Sequence, residues 1–378
     1  MNEKVSRWIR FLLIIPFSIL MAVKGMDFVI ETEWERGVEL TFLQKMLIIL
    51  GFYLMATVVC QLIHITGRLL SGWLVGYRLG RLQIFNLEWF QSGQIRFKWH
   101  RGLNLHCSCN MIPSGEETNK YAVIFHLLGG VIFSGFVSGV LLIVSSEFVA
   151  MRFFSTATYF ISMVCLLFGI TDIIPMEMKN GKNIGCCVLD IMHHPKAARA
   201  SLIAQKIFES YMKGVRIKDM PADWFEIPSN LEMENFYLLH IGTMTCYRMM
   251  DEQQFEQADH LIARLLQAKC LPASHRRALT GNRIFCELIG ENRSEVVAAL
   301  MTPKMEKQLK KAVQFDSDAL KVLHAYALLH ERDPLAAGEF KAALEKRAQT
   351  YYSASAVQEN LEQMAYAADI AVKRGILS

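Results

Sequence analysis

Apolar residues follow two different patterns in this chain, and the change comes near residue 195. Before it lie four long runs with little polar interruption: Trp8–Ile30, Phe42–Gly67, Tyr121–Ser145 and Phe148–Ile174. Each matches or exceeds the ~20 helical residues that cross ~30 Å of hydrocarbon. After it, apolar positions such as Leu261, Ile262, Leu265 and Leu266 recur every three or four residues, as in amphipathic helices. The expected helices pair as Glu232–Met250 with Phe255–Ala268, Ala273–Gly290 with Arg293–Met301, and Ser317–His330 with Pro334–Gln349, before a last helix over Ser355–Gly375. Between the second and third apolar runs, Leu82–Phe90 and Ile95–Trp99 alternate around Gln91-Ser-Gly-Gln94, which predicts a β-hairpin.

These patterns predict an all-α polytopic membrane domain over 1–195, with about four transmembrane helices and a small cytoplasmic β-hairpin. A soluble α-helical hairpin domain, tetratricopeptide-like (TPR-like), is expected over 196–378. Phe255-Glu-Gln-Ala258 resembles the start of a second tetratricopeptide helix, and hairpin spacing near 34–40 residues fits a helical repeat array. Such an array leaves a concave surface for a partner, although it can also serve only to stabilise the membrane half.

Composition sharpens the division. The chain has 378 residues, 52% hydrophobic and 20% charged, too apolar for an ordinary soluble protein. Roughly one residue in seven is charged over 1–195 and about one in four over 196–378. Lys4, Arg7 and Arg10 precede the first run, and Arg78, Arg81, Arg96, Lys98, Arg101 and Lys120 follow the second. Glu31, Glu33 and Glu35 separate the two. The positive-inside rule then predicts a multi-pass plasma-membrane protein with both termini and the 68–120 connection in the cytoplasm. The first run resembles a signal peptide without a convincing cleavage site, and reads as an uncleaved anchor. Its Lys24 and Asp27 are expected near the far interface or against a neighbouring helix. Nine cysteines without framework spacing argue against disulfides. A formal charge of +4, dispersed along the chain, points to lipid headgroups and not to nucleic acid.

The chemistry-bearing signal is Gln61-Leu-Ile-His64-Ile65-Thr-Gly-Arg68-Leu-Leu70. A His-Glu-x-x-His helix sets two zinc-binding histidines one turn apart beside a glutamate base. Here only His64 remains; Ile65 holds the glutamate position and Arg68 the second histidine position. Downstream come Gly72 and Gly76, four apart so that another helix can approach closely, the predicted hairpin, Cys107-Ser-Cys109, Leu127-Leu-Gly129-Gly130, and Asp172-Ile-Ile-Pro175 followed by Asn183-Ile184-Gly185. In this order the stretch 42–200 resembles the site-2-protease-type intramembrane zinc metalloproteases, as a degenerate, pseudoprotease-like member of bacterial type. Asp172 stands at the family's conserved asparagine and Ile184 at its third ligand.

The resemblance implies a scaffold that has lost metal and base, so no catalytic residue is assigned and no cofactor is expected. Arg68 and Asp172 would form a structural ion pair where zinc once tied the spans together, with Glu177 or Asp190 as substitutes. Trp89, Gly129, Gly130, Pro175 and Gly185 would line a groove for a membrane peptide or protein partner, such as a transporter or a peptide precursor. The expected function is that of an adaptor or regulator. The alternative is an active zinc metalloendopeptidase with a rearranged site drawing on His64, Asp172, Cys186, Cys187, His193 or His194. Blander readings are a packed membrane helix with one histidine, a hairpin anchored by Trp89 and Trp99, a polar helix end at His193-His194, and packed or solvent-facing thiols instead of metal ligands at His106, Cys107 and Cys109.

Overall fold

Thr41 starts the longest uninterrupted apolar helix through a capping box: its hydroxyl accepts from the Gln44 N–H, and Gln44 Oε1 accepts from the Thr41 N–H at 2.8 Å. That helix, α2 (Phe42–Leu74), follows α1 (Glu3–Arg36), and α3 (Lys120–Glu147) and α4 (Arg152–Ile173) complete a set of four. All four are long and apolar enough to cross a membrane, which marks this as a membrane protein in contact with lipid. The computed structural model describes residues 3–90, 95–97, 107–113, 119–178, 181–348, 351 and 353–377. The chain divides into two compact units at Ala198.

In the first unit α4 is the central helix: 56% of its most apolar window is buried, against 17% for α1 and for α2. Its Phe160, Val164 and Cys165 pack with Met21 of α1 and with Phe52, Ala56 and Cys60 of α2. Small polar residues fasten α4 to α3. Ser138 and Ser162 each donate to the other's backbone carbonyl, at 3.0 and 2.9 Å, and their hydroxyls lie 2.7 Å apart. In hydrocarbon no water competes for these groups, so closing them on each other leaves no polar atom stranded.

α2 continues seven residues beyond the apolar run expected to end at Gly67, which keeps Arg68 and Ser71 on the helix. It stops where Gly76 takes φ +79°, a left-handed conformation that side chains disfavour. There the chain enters a four-stranded antiparallel sheet of β1 (Tyr77–Ile84), β2 (Leu87–Phe90), β3 (Ile95–Phe97) and β4 (Cys107–Pro113), ordered β3-β2-β1-β4. The expected hairpin is corrected in one respect. The stretch Leu82–Phe90 is two strands, because Phe85 (φ +54°) turns the chain and Arg81 pairs with the buried Glu88 across the turn at 2.6 Å. Gln91–Gln94, Lys98 and Trp99 lie outside the described residues.

Past α4 the chain makes a short β-turn pair, β5 (Glu177–Met178) and β6 (Gly181–Lys182), then α5 (Ile184–His193) and α6 (Ala197–Met212).

The second unit is helical. After α6 come α7 (Phe236–Asp251), α8 (Phe255–Leu265), α9 (Ala273–Ile289), α10 (Ser294–Leu300), α11 (Pro303–Ala312), α12 (Ser317–Ala325), a π-helical turn over Tyr326–Glu331, α13 (Pro334–Arg347) and α14 (Ala354–Lys373). Successive helices pack α7 on α8, α8 on α9, α9 on α12 and α12 on α13 and α14. Ala258 is fully buried, and Phe255 packs against Phe285 and Tyr366 at ring distances of 5.8 and 4.9 Å. Two helices were absent from the expected set, α6 and α11. α11 begins at Thr302, whose hydroxyl caps the Met305 N–H with Pro303 in the first turn. The first helices of the hairpins therefore begin 37 residues apart at 236 and 273, but 44 apart at 273 and 317.

Candidate functional site at the α2–α3 junction

The helical period of α2 puts His64, Gly67, Arg68, Ser71 and Gly72 on one side, and α3 meets that side closely. Glycine makes the approach possible. A Cβ on Gly67 would lie 2.6 Å from the Gly129 carbonyl, and one on Gly130 would lie 2.5 Å from His64 Nε2. A Cβ on Gly129 would overlap the Ser71 side chain. The imidazole of His64 thus lies against bare backbone of α3. Gly72 serves another contact: its missing Cβ admits Met111 Cε of β4 at 2.6 Å. The expected close-approach pair Gly72 and Gly76 is thereby corrected, because Gly76 faces open space and works through its dihedral angle.

Arg68 is half-buried, and its Nε is fully buried with no hydrogen-bond partner. Around it, within electrostatic range, stand His64, Cys109, His126 and Asp172. His126 is buried on α3, its ring edge-on to Tyr77 at 5.3 Å and its Nδ1 3.5 Å from the Ser71 hydroxyl. Ile65, in the position of a general base, is buried.

Arg68 and Asp172 face one another's field but close no ion pair among the described residues. The substitutes do not serve either. Asp190 is taken by Lys182, whose Nζ lies 2.9 and 2.8 Å from its two oxygens, and no ion pair joins Arg68 to Glu177 among the described residues. The expected groove is also corrected at its floor, since Gly129 and Gly130 are covered by Ser71 and His64 of α2. Trp89 sits on β2, across β1 from β4, the strand that packs on α2.

Pro175 and Gly185 do meet, in the turn from α4 into α5. A Cβ on Gly185 would strike the Ile173 carbonyl and come within 3.1 Å of the Pro175 nitrogen. Asn183 holds this turn shut. Its Oδ1 accepts from the Met176 and Cys186 N–H groups at 2.9 and 3.2 Å, and its Nδ2 donates to the carbonyls of Thr171 and Ile174 at 2.8 and 2.5 Å. Both Asn183 and His126 were missed as site residues. The signals were present: an asparagine before an apolar helix is a cap, and a lone histidine in a membrane span is a candidate by default.

Cys107 and Cys109 share the buried face of β4. Burial raises both thiols above their ordinary value, so they sit as neutral packing groups. His106 lies outside the described residues. Cys186 is buried and likewise pushed up by burial, His193 is exposed at the end of α5, and the buried Nδ1 of His194 has no hydrogen-bond partner. Among the described residues, no three His, Cys, Asp or Glu side chains gather as a metal site.

No protein-family model, curated protein or solved structure matches this chain.

Proposed function

We propose that this membrane protein holds an acidic group of a membrane peptide or protein partner at Arg68, as a non-catalytic adaptor on a degenerate site-2-protease-type scaffold. One observation carries the reading. The guanidinium stands where the family's second zinc-binding histidine would be, partly desolvated and without a carboxylate of its own. A cation at that depth is unfavourable until paired, and the planar fork of arginine suits a carboxylate in two-point contact. His64, packed on Gly130, and the buried Ile65 supply packing around the cation in this reading, with neither a ligand set nor a base. In its full form the proposal includes a plasma-membrane location, cytoplasmic termini, and a second unit that binds partners as tetratricopeptide arrays do.

Photo-crosslinking in membranes from Gln61, half-buried and two turns from Arg68 on the same side of α2, tests it. The wild-type chain is expected to give an adduct of defined mass that disappears with Arg68→Gln and weakens with Arg68→Lys. Truncating one side of a desolvated charge pair removes ~2–5 kcal/mol of binding, ample to abolish capture. An adduct indifferent to Arg68 would sink the reading. So would stoichiometric zinc in the purified protein that is lost on His64→Ala, since that outcome supports a rearranged metalloprotease.

A further inference from the structure

The opposite end of the spanning bundle carries a second charged feature that the reading above does not use. Successive spans alternate direction, so the end of α1 and the beginning of α4 lie on the face away from the sheet and Arg68. Between them is a cavity of about 330 Å³ lined by Lys24, Asp27, Phe28, Ile30, Glu31, Val149, Arg152, Ser155 and Thr156.

Most charges on this face are already paired. Glu33 takes Lys45 at 2.7 Å, and Arg152 bridges Glu31 at 3.3 Å and Glu35 at 3.0 Å, which ties α1 to α4. The two charges deepest along α1 are different. Lys24 and Asp27 are three residues apart on one helix and both line the cavity, yet neither bonds to the other or to any described residue. Arg152 lines the cavity as well, its guanidinium held in place by Glu31 and Glu35. The cavity thus offers the Lys24 ammonium for an anion, with the carboxylate-bound Arg152 guanidinium beside it, and the Asp27 carboxylate for a cation.

Its depth narrows the ligand. Exposed large apolar residues crowd α1 from Val5 to Val23 and thin out beyond it to Ile30 and Trp34, and Trp34 with the exposed Phe148 and Phe153 marks this level as an interface. Phe28, Ile30 and Val149 give the cavity an apolar edge toward the chains of a lipid. We infer that this cavity binds an ammonium–phosphate zwitterion of the phosphoethanolamine type, with Lys24 and Arg152 facing the phosphate and Asp27 the ammonium. The zwitterion can come from a lipid headgroup or from a free molecule, and an anionic headgroup without an ammonium leaves Asp27 opposed to like charge.

The full chain is reconstituted into vesicles of equal phosphatidylethanolamine and phosphatidylglycerol, and the lipids it retains on gentle extraction are counted by native mass spectrometry. Free phosphoethanolamine is titrated in a parallel calorimetric arm. Phosphatidylethanolamine is expected to exceed phosphatidylglycerol by ~3- to 10-fold, the size of one or two partly screened charge pairs. Asp27→Asn should bring the two lipids to parity, and Lys24→Gln should lower retention of both. Neither side chain supports the fold through a bond, so both variants report on binding. Binding of the free zwitterion without a lipid preference, lost in both variants, assigns the same site to a soluble ligand. Parity in the wild type together with no phosphoethanolamine binding overturns the inference, as does a preference that survives both substitutions.

Discussion

The two units treat buried charge in opposite ways. In the helical unit the deep charges of Arg216, Asp251 and Lys321 are met from within. Arg216 pairs with Asp251, whose side chain is fully buried, and with Glu362 at 2.6 Å. Lys321, 1% exposed, donates to Asn282 at 2.9 Å and Gln363 at 2.8 Å and lies 5.3 Å above the Phe285 ring. In the membrane unit Ser138 and Ser162 close their hydroxyls on each other, while the half-buried Arg68 and Lys24 and the exposed Asp27 are left without partners among the described residues. A charge networked inside a protein holds its helices in one arrangement. A charge held open at the end of a membrane span is a place for something else to bind.

The largest test of that contrast is Asp251→Ala. It removes the buried partner of Arg216 and the acceptor of the Lys218 N–H, leaves Arg216 only the exposed Glu362, and approaches the ~3–5 kcal/mol of a broken buried pair. Denaturant unfolding of the second unit, followed by tryptophan fluorescence or hydrogen exchange, should show the loss; a cost below 1 kcal/mol would remove the structural role assigned to the network.

Acidity comes next, and two groups give opposite signs. Burial raises the Glu359 carboxyl from 4.5 to about 8 against the pull of Lys321. The folded unit then keeps a proton that the unfolded chain has lost, so this stabilisation is full below pH 4.5 and is lost as pH rises through 8. Burial, and then repulsion from His275, lowers His240 from 6.5 to about 4. Its contribution is present above pH 6.5 and is lost as pH falls toward 4. Hydrogen exchange across α14 and α7 from pH 4.5 to 9 should show both limbs, on the order of a few kcal/mol at their extremes. Glu359→Gln should flatten the alkaline limb alone and His240→Asn the acid limb alone.

Glycines sharpen the comparison at smaller scale. Gly130→Ala drives a methyl into His64 and should destabilise the α2–α3 contact by about 1–3 kcal/mol, with partial rescue by His64→Ala. Gly338, in the middle of α13, has nothing within 4 Å of its would-be Cβ. Gly338→Ala should therefore stabilise by about 0.5–1 kcal/mol, and melting curves of the two variants should move in opposite directions.

The four spans and most of the helical hairpins were legible because burial in lipid or against a neighbouring helix imposes a regular apolar pattern. The misses have physical causes. Leu82–Phe90 alternates without a break, so only the positive φ of Phe85 reveals a turn there. The Gly129–Gly130 pair signalled close packing, but whether a ligand or α2 fills such a surface is a tertiary matter, and His64 fills it. Asn183 announces a cap by its position, whereas its bonds to the end of α4 depend on how the chain returns. For Arg68 and Asp172, sequence placed both residues and proposed that they pair; the folded chain brings them within each other's field and leaves the pair open.

From the sequence alone come the number of spans, a division near residue 195, the helical second unit and the charges standing inside apolar segments, since each depends on local pattern and hydrophobicity. Only the tertiary structure decided which of those charges found partners. Pairing turns on a few ångströms between elements distant in the chain, and those distances follow from the close contacts that Gly67, Gly129, Gly130 and Gly185 permit.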